Sequence, residues 1–334
     1  MDEPLVSVVI PTLLGGETLE ACLRSLENQT LKRFEVIVVD NSGSGLGNRT
    51  GSRGRVISNQ TNVGFGMAVN QGFRESRTPY LATLNDDAEA HPQWLERLIA
   101  AAQANPRVGM FASQVMLSRT GALDSAGMLL AVDGSSKQRG HGEPPEAYAE
   151  STDALYPSGS AALYRRSMLD EIGGFDESYF LYCEDTDLGL RARWAGWECA
   201  YVPGAIVEHR YSESAGRASI LKAYYVERNR IYTVLKTFPF GMLTQVPLAA
   251  ILRYGWHVVA LILGQGKTAE FHQTGGAALL LPFLVLRAHI AALYHLPRLL
   301  EERRRIASLR RISTEQFRAL ALKHSISLRQ VASL

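Results

Sequence analysis

Two groups of carboxylates hold the chemistry of this sequence. Asn85-Asp86-Asp87 follows the apolar run Tyr80-Leu81-Ala82-Thr83-Leu84. Glu184-Asp185-Thr186-Asp187 comes after Gly173-Gly174-Phe175-Asp176 and opens a helical stretch that reaches Trp194. Neighbouring acids repel one another and lose hydration on burial, so a fold keeps them where a cation or a transferable proton compensates. A pair that holds a divalent ion, with a separate base, suits transfer from a phosphate-bearing donor. His209, after the strand-like Ala205-Ile206-Val207, adds an imidazole to the set. The ordinary uses of such residues are a structural histidine and an acidic first turn that caps a helix.

The elements that must position these groups can be read from periodicity. Residues 6–10 form a β-branched run ending in Pro11-Thr12, followed by a helix over 17–28 with Leu19, Cys22, Leu23 and Leu26 on one face. A second strand over 34–39 ends in Asp40-Asn41-Ser42-Gly43; a weaker third covers 55–58, a helix 66–74, and a fourth strand 80–84. Continuous apolar strands alternating with amphipathic helices predict a buried, largely parallel α/β sheet. Its ligand crevice should lie at the carboxyl ends of the strands. Thr12, Asp40 and Asp86-Asp87 all fall at such ends. The polar, Gly-containing stretches 43–55 and 133–153 are expected to be surface loops.

Bulk properties exclude some classes. With 334 residues the chain has room for one large domain plus an appendage, or for two. A net charge of +2 argues against nucleic acid as a partner, although acids concentrate early while Arg303-Arg304-Arg305 and Arg310-Arg311 crowd the end. Cys22, Cys183 and Cys199 have no metal-type or disulfide spacing and read as reduced, mostly buried thiols. The acidic start before a strand-like run gives no expectation of a secretory signal, which leaves cytoplasmic chemistry.

Beyond about residue 235 the composition changes. Residues 246–263 and 277–296 are strongly apolar, yet Arg253, His257, Arg287, His289 and His295 interrupt them. A spanning helix needs roughly 20 apolar residues, and a central Arg costs about 2.5–3.5 kcal/mol on insertion scales. The expectation is therefore helices lying in the plane of an anionic membrane surface. A soluble helical subdomain, true spans, and packing between two copies of the chain are the alternatives.

In order along the chain, residues 6–12, 36–42, 62–72, 84–88 and 173–188 resemble a family 2 glycosyltransferase with a GT-A type nucleotide-diphospho-sugar-binding domain. The matching stretches include Val8-Val9-Ile10-Pro11-Thr12, Val38-Val39-Asp40-Asn41-Ser42, Asn62-Val63-Gly64-Phe65-Gly66, Leu84-Asn85-Asp86-Asp87 and Gly173-Gly174-Phe175-Asp176-Glu177 leading to Glu184-Asp185. The Asn-x-Gly-x-Gly form and the apolar, Arg-rich C-terminus are most similar to rhamnosyltransferase-like members. The resemblance implies a Rossmann-like mixed sheet flanked by helices, with a donor half over about 1–115, an acceptor half over about 116–235 and a membrane-associating helical region over 236–334. It implies inverting transfer of a sugar from a dTDP- or UDP-linked donor to a saccharide or polyprenyl-linked acceptor, for cell-surface polysaccharide, at the inner face of the cell membrane.

Residue by residue, the resemblance places Thr12, Asp40, Asn62 and Asp86 on the donor nucleotide and sugar. It places Asp87 and His209 on Mg²⁺ or Mn²⁺, Asp185 as the base, and Glu184 and Asp187 as its supports. Asn85 departs from the family's Asp-x-Asp element, which leaves Asp87 as the direct metal ligand. Tyr156-Pro157-Ser158-Gly159-Ser160-Ala161 resembles the segment joining the two halves, while Trp194 and Trp197 read as core residues before sugar-stacking ones. Three other readings stay in view: a nucleotide-sugar-binding membrane adaptor with little turnover, transfer from another donor such as UDP-galactofuranose or UDP-GlcNAc, and a sugar-nucleotide pyrophosphorylase. The last is disfavoured because residues 10–18 contain no Lys or Arg, and a dehydrogenase lacks its GxGxxG after the first strand.

Overall fold

A computed structural model describes residues 3–45, 54–210, 219–266, 269, 271 and 280–333. Most of the expected 43–55 loop, and residues 277–279 of the second apolar stretch, lie outside the described residues. The chain divides into two compact units, each assembled from separated segments. The first contains Met1–Met128, Gln138–Phe180 and Trp197–Ser214; the second contains Leu129–Lys137, Leu181–Gly196 and Ala215–Leu334.

The first unit is built on one sheet. Its strands are β1 (Val6–Thr12), β2 (Phe34–Asp40), β3 (Gly54–Ser58), β4 (Tyr80–Leu84), β5 (Ala88–Ala90), β6 (Val108–Leu117) and β7 (Leu123–Ser125). After the hairpin of β8 (Met128–Leu130) and β9 (Ser136–Gln138) come β10 (Thr152–Asp153), β11 (Ala161–Arg165) and β12 (Glu198–His209). The order is β10-β12-β6-β11-β4-β1-β2-β3, with β5 on β12 and β7 on β6. The strands β3, β2, β1 and β4 are mutually parallel, as their apolar runs predict. β11 then runs antiparallel to both β4 and β6, so the sheet as a whole is mixed. Helices α1 (Gly16–Glu27), α2 (Phe65–Glu75), α3 (Trp94–Ala104) and α4 (Arg166–Ile172) flank it. The core joins the inward faces of β1, β2 and β4 to Leu19, Cys22, Leu23 and Leu26 of α1, the four positions that the helical period selects.

The second unit is helical. α5 (Glu184–Trp194) and α6 (Ile220–Thr237) are followed by the helices Val246–Ile262, Leu281–Tyr294, Leu296–Ser308, Thr314–Lys323 and Leu328–Ser333. α6 is the hub, against which α5, Leu281–Tyr294 and Leu296–Ser308 pack. Its buried face is unusually polar, with Glu227, Asn229, Arg230, Thr233 and Lys236 all enclosed. Enclosed charges are tolerated only when paired, and here they are. Arg253 bonds Asp133 at 2.6 Å and Glu227 at 2.7 Å, while Arg230 pairs with Glu227 at 2.5 Å and donates to the Asp133 carbonyl at 2.6 Å. Arg253 therefore does not interrupt an outward apolar surface, as its place in the sequence suggests. It points inward, and Leu248, Ile251, Leu252, Val258, Val259 and Ile262 stand exposed on the other face of its helix.

Two further expectations meet the structure here. Residues 133–153 carry β9, a short 3₁₀ turn (Pro145–Tyr148) and β10 on the sheet edge, so the segment is more ordered than its composition suggests. Trp194 is fully buried, stacked on Phe317 with ring centroids 4.1 Å apart, and donates to the Thr237 carbonyl at 2.7 Å. It is a core residue of the second unit.

Candidate functional site

In the first unit four of the singled-out residues converge. Thr12 ends β1 and Asp86-Asp87 follow β4, its parallel neighbour, so their side chains leave the sheet at the same edge. Thr12 Oγ1 donates to Asp86 Oδ2 at 2.5 Å and accepts from the Gly15 N–H at 3.1 Å. Burial, reinforced by the charge of Asp87 and opposed by the Thr12 bond, pushes Asp86 up to about 6. β12 pairs with β5 so that His209 lies opposite Ala88, which brings its ring beside Asp87. His209 Nε2 is 3.1 Å from Asp87 Oδ1 and Nδ1 is 3.0 Å from Asp124 Oδ2. Burial works against a charged ring, but hydrogen bonds to Asp124 and Asp87 outweigh it and push His209 up to about 10.

Asp124 was not among the sequence candidates. It lies in β7, which pairs with the same strand β6 that carries β12. Its signal in the sequence is faint, an acid inside Ala122-Leu123-Asp124-Ser125-Ala126. It also bonds His141 Nδ1 at 3.0 Å, and despite burial these two histidines hold its carboxyl below the usual range.

Asp40 faces Thr12 across the β1–β2 ladder, is fully buried, and accepts from the Ser42 N–H at 2.8 Å, which closes an Asx turn. Asn62 caps the approach to α2 by accepting from the Gly64 N–H at 2.9 Å. Gly64 has φ +86°, and a Cβ there would collide with the Phe180 carbonyl, to which Phe65 N–H bonds at 2.8 Å. The Gly173-Gly174-Phe175 segment is fastened to α2 in turn. Asn70 donates to the Phe175 carbonyl at 2.8 Å and accepts from its N–H at 2.9 Å, and a Cβ at Gly174 would strike the Asn70 side chain.

The second unit holds the other acids. Tyr182 and Cys183 both have left-handed backbones, with φ +69° and +63°, and they deliver the chain into the first turn of α5. Asp185 accepts from the Thr186 N–H at 2.7 Å. Glu184 is buried and its Oε2 has no hydrogen-bond partner; burial and then the Asp185 charge push it well above the usual carboxylate range. Asp187, fully buried, is locked by Arg191 at 2.8 Å and Lys236 at 2.6 Å, so it serves as an anchor of α5.

A family model for glycosyl transferase family 2 matches residues 7–173, half of the chain. The chain belongs to glycosyl transferase family 2. N-acetylglucosaminyl-diphospho-decaprenol L-rhamnosyltransferase of Mycobacterium tuberculosis is 32% identical over 254 residues, covering 66% of this chain and 81% of the relative. Rhamnosyltransferase WbbL of Escherichia coli is 36% identical over 97 residues, covering 26% of this chain and 36% of the relative. Among solved structures, GalNAc-T7 with UDP, GalNAc and Mn²⁺ superposes with a TM-score of 0.60 at 15% identity, over 75% of this chain and 51% of that one. The mannosyltransferase PcManGT of Pyrobaculum calidifontis, with GDP-Man and Mn²⁺, gives 0.53 at 14% identity, over 97% and 88%. These structures establish the GT-A fold of this family 2 glycosyltransferase.

The donor set of this glycosyltransferase fits a hard divalent cation. Among the described residues no cluster of three or more His, Cys, Asp or Glu could hold a metal by itself. Asp87 Oδ1 and His209 Nε2 nevertheless lie 3.1 Å apart, a carboxylate oxygen and an imidazole nitrogen of the kinds that bind divalent ions once the proton is lost. Asp124 on Nδ1 is the outer carboxylate that commonly orients a metal-ligating imidazole. Asp87 and His209 would be the residues to hold such an ion, with water and phosphate oxygens as its further ligands.

Proposed function

We propose that this chain is an inverting, divalent-metal-dependent glycosyltransferase that moves L-rhamnose from a dTDP- or UDP-linked donor to a hydroxyl of a lipid-linked saccharide in cell-surface polysaccharide synthesis. The observation that carries the reading is the convergence of Thr12, Asp86, Asp87 and His209 at one edge of the sheet. The sugar and the acceptor class follow the relatives, one named for rhamnosyl transfer to a decaprenyl-diphosphate-linked sugar.

In this reading Thr12, Asp40, Asn62 and Asp86 hold the nucleoside and the donor sugar. Asp87 and His209 would hold Mg²⁺ or Mn²⁺, whose chemistry there would be neutralisation of charge on the leaving diphosphate. The acceptor oxygen attacks the anomeric carbon from the face opposite the diphosphate. The carbon–oxygen bond to phosphate breaks with its electron pair leaving on the diphosphate, and the hydroxyl proton passes to the Asp185 carboxylate. Residues 1–235 form the catalytic part and 236–334 the membrane-associating part, seated on the inner face of the cell membrane. The exposed apolar faces of Val246–Ile262 and Leu281–Tyr294, the exposed Arg304 and Arg305, and the polyprenyl acceptor of the relative support a lipid surface as the partner. Phe240–Ile262 is also long and apolar enough to cross a bilayer.

The decisive experiment assays dTDP-rhamnose, UDP-galactofuranose and UDP-GlcNAc with a polyprenyl-diphosphate-linked acceptor, in Mn²⁺, Mg²⁺ or EDTA. Metal-dependent transfer from dTDP-rhamnose alone is expected; transfer unaffected by EDTA removes the metal reading, and transfer from another donor removes rhamnose. Asp185→Asn should lower turnover by about 10²–10⁴-fold, the worth of a positioned base, while donor affinity stays within about twofold on the same reasoning, since the base acts on the acceptor. Turnover like the wild type in that variant ends the assignment.

A further inference from the structure

The turn that presents Glu184 and Asp185 is held from one helix by an unusual device. Two consecutive non-glycine residues, Tyr182 and Cys183, adopt left-handed backbones, a conformation that costs on the order of 1–3 kcal/mol per residue and persists only where surroundings impose it. The turn's two hydrogen bonds from α6 come from one side chain. Asn229 of α6, with no solvent exposure, donates both amide hydrogens to consecutive carbonyls of the turn, Leu181 at 2.8 Å and Tyr182 at 2.7 Å. Its own carbonyl accepts from Arg228 Nε at 2.9 Å, which fixes the orientation of the amide.

Two helical turns further along the same face of α6, Lys236 reaches Asp187 at 2.6 Å. One helix thus holds the acidic pair on both sides, Asn229 at the approach and Lys236 just beyond. A turn needed only to start a helix has cheaper solutions, such as a glycine in the left-handed position or a Ser or Asp cap, and no side chain caps α5. The strained conformation instead fixes where the first carboxylates of α5 point.

We propose that Asn229 is a positioning residue for catalysis, which sets the Asp185 carboxylate in its proton-accepting geometry by clamping the Leu181–Cys183 turn to α6. The inference rests on Asp185 being the base and adds how that base is held. Its route to Asp185 is the backbone of the turn, through the Leu181 and Tyr182 carbonyls.

The test measures kcat, donor KM and thermal midpoint in the full chain for Asn229→Ala, Cys183→Gly, the double variant and Asp185→Asn. Misplacement of a reacting group by about 1 Å costs on the order of 10²-fold. Asn229→Ala is therefore expected to lose kcat on that order, with donor KM within about twofold because the donor's contacts are untouched. Cys183→Gly relieves the left-handed strain, so the double variant should regain thermal stability without regaining kcat. If Asn229→Ala keeps full kcat, or if kcat and stability return together in the double variant, Asn229 is merely structural and the proposal falls. Asp185→Asn separates the two levels: retained turnover there overturns the base itself, whereas an inactive Asp185→Asn beside a fully active Asn229→Ala overturns only the clamp.

Discussion

His209 shows how one side chain is given its character by its neighbours. A buried imidazole alone would be neutral; between Asp87 and Asp124 it is driven to the charged form. In the proposed metal site Asp124, 3.0 Å from Nδ1, would fix the tautomer that leaves Nε2 to the cation. Asp124→Asn keeps the shape but removes the charge on Nδ1. Loss of such an outer partner costs about 10–100-fold in metal affinity, so Mn²⁺ titration in the presence of UDP or dTDP should show a weakening of that order, and unchanged affinity would separate Asp124 from the metal site. Glu184 gives a prediction of the opposite kind. Its carboxyl titrates well above its ordinary 4.5, so between those values the native state keeps a proton that the unfolded chain has released. Stability should therefore fall as pH rises through that window. Glu184→Gln, which imitates the protonated acid, should have a melting temperature with a visibly flatter dependence from mildly acidic to mildly alkaline buffer.

Elements that announce themselves by period were legible; those fixed by distant partners were not. β1, β2, β4 and α1 lie within two residues of where their apolar patterns put them, because burial on one face or both is a local property of sequence. The strand ends then placed Thr12 beside Asp86 without any knowledge of the remainder. Asp124 escaped because its meaning depends on His209, which arrives by way of another strand of the sheet. Arg253 was legible as a charge but not as an inward-facing one, since its partners Glu227 and Asp133 are remote in sequence and nothing local reveals that α6 buries a polar face. Asn70 lies between these cases. It falls within a motif stretch, yet its role appears only when Phe175 is seen to bond both ends of its amide. Asn70→Ala leaves a buried N–H and a buried carbonyl unpaired, each costing about 1–3 kcal/mol; a loss of about 2–4 kcal/mol in denaturant unfolding is the expected outcome.

At the scale of the whole molecule the enclosed charges of the second unit govern how it tolerates acid. Despite burial, Arg230 and Arg253 hold Glu227 well below its ordinary 4.5. Its contribution is present above that value and is lost as pH falls beneath it. Arg253→Met removes one partner of a buried network and should destabilise by about 3–5 kcal/mol, with a shallower loss of stability on acidification, both read from denaturant curves across pH. The outward face gives a separate test. Ile251→Glu with Ile262→Glu alters two side chains that are 65% and 78% exposed, so folding should change by no more than about 0.5 kcal/mol per site, whereas the flotation with anionic liposomes that the proposed membrane association requires should be lost. No flotation of the wild type, or retained flotation of the variant, would remove this face as a lipid-binding surface.

The interleaving of the two units has a practical consequence. Because the helical unit draws on Leu129–Lys137 and Leu181–Gly196 as well as the C-terminal stretch, no single cut yields either unit as one continuous piece of polypeptide. Deleting everything after about residue 235 would strip Lys236 from Asp187 and Arg253 from Asp133, stranding buried carboxylates in a fragment that still contains them. Dissection of this enzyme is therefore a task for single substitutions, because each unit depends on segments that no truncation can remove or retain together.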